Sequence, residues 1–106
     1  MTDRELLEAA AKAVGIQFGW IHDTPRIRAE MGWTPWNPLT NSGDAFELAV
    51  KLRLTLNCSY DDVALCGQEF TQKEVFLELN GEDPLAATRR AIVRAAAAIG
   101  KEMKDD

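Results

Sequence analysis

The chain reads as an α+β protein: one small three-stranded antiparallel sheet packed with three helices, in the order helix, loop, helix, three strands, helix. Three features point to it. Helix-capping residues followed by apolar stripes at helical spacing occur near residues 2–14, 43–52 and 83–103. Alternating β-prone runs lie between the second and third of these. A length of 106 residues, 46% of them hydrophobic and 27% charged, suits a single domain with one core.

The first helix opens on Thr2-Asp3-Arg4-Glu5, a capping box in which the Thr2 hydroxyl and Glu5 carboxylate each take up a free backbone donor. Leu6, Leu7, Ala10, Ala11 and Val14 form its apolar stripe, and Gly15 supplies a left-handed stop. Residues 16–42 read as a long irregular loop, with a short strand or extended run at Ile16-Gln17-Phe18. The loop holds Trp20, Trp33 and Trp36, Pro25, Pro35 and Pro38, and the only histidine, His22. Pro35 and Pro38 each lack a donor and fix φ, which bars residues 33–42 from an interior helix or a central strand.

The second helix is expected to start near Gly43-Asp44. Asp44 and Glu47 repeat the capping-box spacing, and Ala45, Leu48, Ala49 and Leu52 share one face with Phe46 and Val50 beside it. Leu54, Leu56 and Cys58 then alternate with polar residues, Tyr60-Asp61-Asp62 reads as a turn, and residues 63–70 and 74–80 give two further strands. Their connections are too short for a crossover, so the strands run antiparallel. Asp83 and Pro84 are a good cap and first helical residue for the last helix. At helical spacing Leu85, Thr88, Ile92, Ala95, Ala96, Ile99 and Met103 fall within an arc of roughly 100°. Arg90, Arg94, Lys101 and Lys104 occupy an arc of about 80° opposite, which predicts that they face solvent.

The net charge of −5 disfavours a general binder of nucleic acid or membrane surface, whose affinity rests on surplus Lys and Arg. No apolar run approaches a membrane span and no leader precedes the first helix, so a cytoplasmic location is expected. There Cys58 and Cys66 would be reduced core thiols, with a cross-strand disulfide as the alternative. One histidine, in a polar loop, has no partner nucleophile, and the cysteines match no zinc-ligand spacing. No enzyme activity, metal or cofactor is expected.

The conspicuous segment is Gly32-Trp33-Thr34-Pro35-Trp36-Asn37-Pro38-Leu39. Rigid aromatic area anchors interfaces and small ligands, so Trp33, Trp36, Asn37 and Asp44 are candidate binding residues, with Arg89 and Arg90 at their edge. The competing account has both indoles closing over the core and Asp44 only capping its helix. The basic stripe of the last helix is either a docking face for phosphate or an acidic partner, or the solvated side of an amphipathic helix. Arg89, at the edge of the stripe, suits a structural ion pair. The α-β-β-β-α order from the second helix onward is shared with double-stranded-RNA-binding domains. Those grip phosphate with lysines at the start of the last helix, where this chain has Glu82, Asp83 and Pro84.

Three segments carry a resemblance: residues 2–13, residues 36–52 from Trp36-Asn37-Pro38-Leu39 through Gly43-Asp44-Ala45, and residues 83–96 from Asp83-Pro84-Leu85 onward. In this order they resemble the phage ABA-sandwich family, small proteins of tailed bacteriophages and prophages. The resemblance implies helices packed on a small sheet and a phage or prophage origin, and no activity; residues 22–31 depart from it as an insertion. The expected function is a non-enzymatic bacteriophage or prophage accessory protein in the cytoplasm of a bacterial host. It would bind a protein or other macromolecule, or a small ligand. The alternative is a nucleic-acid-associated module using the basic face of the last helix.

Overall fold

The computed structural model describes residues 1–59, 63–68 and 75–103, the backbone alone at 63–68 and 75. The expected turn at Tyr60-Asp61-Asp62, the ends of the neighbouring runs and Lys104 lie outside the described residues. The architecture is α+β: α1 (Asp3–Ala13), β1 (Phe18–Ile21), β2 (Thr24–Ala29), β3 (Gly32–Pro35), α2 (Ser42–Lys51), β4 (Leu54–Asn57), β5 (Val63–Gln68), β6 (Val75–Leu79) and α3 (Pro84–Glu102). Two antiparallel meanders result, β1-β2-β3 and β4-β5-β6.

The helix starts follow local chemistry. Thr2 and Glu5 make the reciprocal capping box, and the Asp83 side chain accepts from the Ala86 N–H at 3.0 Å ahead of Pro84. The start of α2 differs from expectation. Asn41 is its cap, accepting from the Asp44 N–H at 2.9 Å, and Asp44 therefore lies inside the first turn.

The α3 helix is the central element, packed by α1, by α2 and by the β4–β6 sheet. Ile92, Ala95 and Ala96 are buried as expected, but so are Ala87, Ala91, Val93, Ala97 and Gly100, while Leu85 and Met103 are 67% and 42% exposed. A single apolar arc presumes one packing partner, whereas α3 is covered on several sides. Small side chains make that possible. A Cβ at Gly100 would stand 1.9 Å from the Ala9 carbonyl oxygen, so only glycine lets α1 approach there.

Residues 16–42 correct the expectation most. Most of that stretch is the β1–β3 meander, closed at its first turn by His22 and Asp23 with φ of 51° and 60°. Two consecutive left-handed residues match the twist of a two-residue hairpin, and His and Asp adopt them more readily than most side chains. Pro25 lies in the central strand but only one pair in from the turn, opposite Trp20. Its carbonyl still accepts from the Trp36 N–H at 3.0 Å. β3 is an edge strand that stops at Pro35, as the prolines require.

In the second meander β6 alternates between a core-facing and an open side. Phe76 packs on the core, while Leu77 and Leu79 are 49% and 72% exposed. Alternation gives a strand its period, not the side that meets a helix. Cys66 stands opposite Leu56, and Cys58 is a free, exposed thiol instead of a core residue.

Candidate functional site

The β1–β3 meander has two unlike faces. Phe18, Trp20 and Ile27 pack toward the core, and Phe18 lies opposite Ile27 across the ladder. Side chains alternate along a strand, so Gly19, Arg26, Arg28 and Trp33 share the outer face, with Gly19 paired to Arg26 and Arg28 to Trp33. The Trp33 ring lies across this face over Gly19, where any Cβ would meet it at 3.5 Å. Arg28 is exposed and Arg26 half-buried. Neither guanidinium has an ion pair with a described residue, and the buried Arg26 Nε has no hydrogen-bond partner among them.

Trp36 is three residues from Trp33 along an extended chain, and an odd separation puts it on the other side. It is 4% exposed, edge-on to Phe18 with ring centroids 5.7 Å apart. Phe18 meets Trp20 edge-on in turn at 5.4 Å. The Trp20 Nε1 donates to Glu8 at 3.0 Å and the Arg4 guanidinium stacks 4.0 Å from its ring, which clips the meander to α1. The two indoles of the Trp-Pro segment thus serve separate ends: Trp36 closes the core and Trp33 faces out.

Asn37, Asp44 and Arg89 meet at the segment between β3 and α2. The Asn37 N–H donates to the Asp44 carboxylate at 3.0 Å, and the Asn37 Oδ1 accepts from the Leu39 N–H at 3.0 Å. Arg89 Nε donates to the Leu39 carbonyl at 2.9 Å and its Nη1 to the Ser42 hydroxyl at 3.1 Å. These contacts fix the segment against α3.

Arg90 and Arg94 do not stand free in solvent as the helical arc predicted. Arg90 donates to Asp3 at 3.0 Å and comes within 4.0 Å of Glu78, which also accepts from Arg94. Arg94 further donates to the Leu77 carbonyl at 3.1 Å and sits 5.1 Å over the Phe76 ring. Strand β6 brings Glu78 to the helix, a neighbour that the helical arc does not contain. Lys101 alone of the named described bases on that arc is exposed. This network borders a cleft of about 540 Å³ between α1, α3 and β6, lined in part by Leu6 and Phe76.

A separate groove of about 480 Å³ lies between α2, β4 and the start of α3. Ala45, Ala49 and Ile92 line its depth, and the exposed Phe46, Val50, Leu56 and Leu85 its rim. His22 is exposed at a turn tip, and among the described residues no three His, Cys, Asp or Glu side chains group as a metal site. No helix of the described residues is long and apolar enough to cross a membrane.

No family model, curated protein or solved structure matches the chain.

The site is therefore read from its own chemistry. Of the six residues singled out by sequence, Trp33 is the one left open for contact, while Trp36, Asn37, Asp44, Arg89 and Arg90 are engaged within the fold. Sequence reasoning missed Arg26 and Arg28. Their signal was the Arg26-Ile27-Arg28 alternation, which becomes legible once residues 24–29 are taken as a strand.

Proposed function

We propose that the chain is a non-enzymatic accessory protein of a bacteriophage or prophage that acts in the host cytoplasm by binding a partner protein. Its contact surface on this reading is the outer face of the β1–β3 meander. The phage setting rests on the resemblance of the three sequence segments. The binding surface rests on one observation: Trp33 lies across that face beside Arg26 and Arg28, whose charges no described residue neutralises.

Tryptophan and arginine carry much of the energy of protein interfaces, because each buries large area and keeps directed donors. Here a sheet holds them, so little conformational freedom is lost on binding. An acidic segment of the partner fits best, since guanidinium forks match carboxylates and Arg26 Nε is a buried donor in want of an acceptor. The alternative, a nucleic-acid module on α3, has less support. Arg89, Arg90 and Arg94 are each held by groups of the chain itself, and the net charge is −5.

Affinity purification of the tagged chain from phage-infected host cells tests the reading. A protein that co-purifies with the wild type should be lost from Trp33→Ala and Arg28→Glu, with both variants still folded and melting cooperatively. Capture that survives both substitutions would sink it. Sub-micromolar binding of single-stranded oligonucleotides, lost in the same variants, would move the function to nucleic acid.

A further inference from the structure

We infer that the chain pairs with a second copy of itself through α2, the two helices lying antiparallel over the apolar groove. The inference uses none of the residues that carry the proposed partner surface.

Four large apolar side chains surround one groove in the isolated chain: Phe46 is 68% exposed, Val50 59%, Leu85 67% and Leu56 38%. Scattered exposed hydrophobics are ordinary, but a contiguous set around one depression marks a contact surface. Phe46 and Val50 are one helical turn apart and so present a continuous ridge. Beneath it Ala45 and Ala49 are small, which leaves depth for an inserted ring.

The charges indicate what covers it. Glu47 and Lys51 are also one turn apart on α2, both exposed, and neither is paired with a described residue. Their order, acid first and base second, is self-complementary when two copies of the helix run antiparallel. Glu47 of each copy then meets Lys51 of the other, twice by the two-fold symmetry. In the same arrangement Phe46 of each copy enters the other's groove. Parallel pairing would set like charge against like. An unrelated partner would have to supply a matching apolar ridge with the reverse charge order, which a second copy already carries.

Sedimentation velocity of the full chain across the micromolar range decides the matter. The expected result is a mass that doubles with concentration. Phe46→Glu should remain monomeric throughout and melt where the wild type does at concentrations too low for it to dimerise, because the side chain is mostly exposed in the monomer. Lys51→Glu should weaken the dimer by about tenfold or more, and the exchange Glu47→Lys with Lys51→Glu should restore it. A monomer at every concentration overturns the proposal, as does a dimer indifferent to Phe46→Glu or one that the exchange fails to rescue. A monomer whose Phe46→Glu variant loses a co-purified host protein would assign the groove to another occupant and overturn it too.

Discussion

Trp33 and Trp36 belong to one short segment yet answer to different physics. Trp36 is buried among Phe18 and the apolar faces of the helices, and Trp33 rests on a sheet face with a third of its surface open. Truncating a buried aromatic removes its transfer energy and leaves a cavity, so Trp36→Ala should cost about 3–5 kcal/mol. Trp33→Ala should cost roughly 1 kcal/mol or less, in line with surface substitutions. Urea denaturation of both variants checks the difference. Equal losses would mean that the indoles share one environment. The sequence could mark both as conspicuous, but the side of the chain on which each falls depends on residues 32–35 being a strand.

At the level of elements, the helix ends owe most to neighbours within four residues. The α1 cap is the clearest case. Glu5 accepts from the Thr2 backbone N–H and from its hydroxyl, and those bonds, in that order of weight, hold its carboxyl below the ordinary value of 4.5. A carboxyl depressed in the folded state favours folding fully above its unfolded pKa and loses that contribution as pH falls through the folded value. Melting temperature followed from pH 6 downward, a window placed by that value, should therefore fall less steeply in Glu5→Gln than in the wild type below about pH 4.5. Parallel curves would show that the box contributes nothing to the pH response. The α3 arginines show where local reasoning ends. Ile92 is buried and Arg94 is not, as expected, but Glu78 and Asp3 reach the arginines from β6 and α1 and hold them out of free solvent.

For the molecule as a whole, α3 joins parts that would otherwise have no common core. α1, α2 and the β4–β6 sheet pack on it, and the β1–β3 meander joins the same apolar cluster through Phe18, Trp20 and Ile27. Ile92 is 4% exposed within that cluster. Ile92→Ala should cost about 2–5 kcal/mol. The loss should appear as one transition, because elements that share a core unfold together. Far-UV circular dichroism reports mainly on the three helices, and fluorescence on tryptophans that all lie in or beside the first meander. Coincident midpoints in wild type and variant are expected; a separate fluorescence transition would mean that the meander melts by itself.

The amino-acid sequence by itself determined the three helices and the antiparallel strands after α2. Caps, stops and apolar periods act between residues a few positions apart, so they are legible without the fold. Only the tertiary structure decided that residues 18–35 pair into a second sheet. Their two-residue turns lack the usual Asn-Gly signal, and Pro25 with two arginines masks the alternation. It also decided which tryptophan is covered, how many sides of α3 are buried, and that Arg90 meets Asp3 across 87 positions of chain. Such contacts depend on which surfaces the packed elements bring together, and no local pattern encodes that choice.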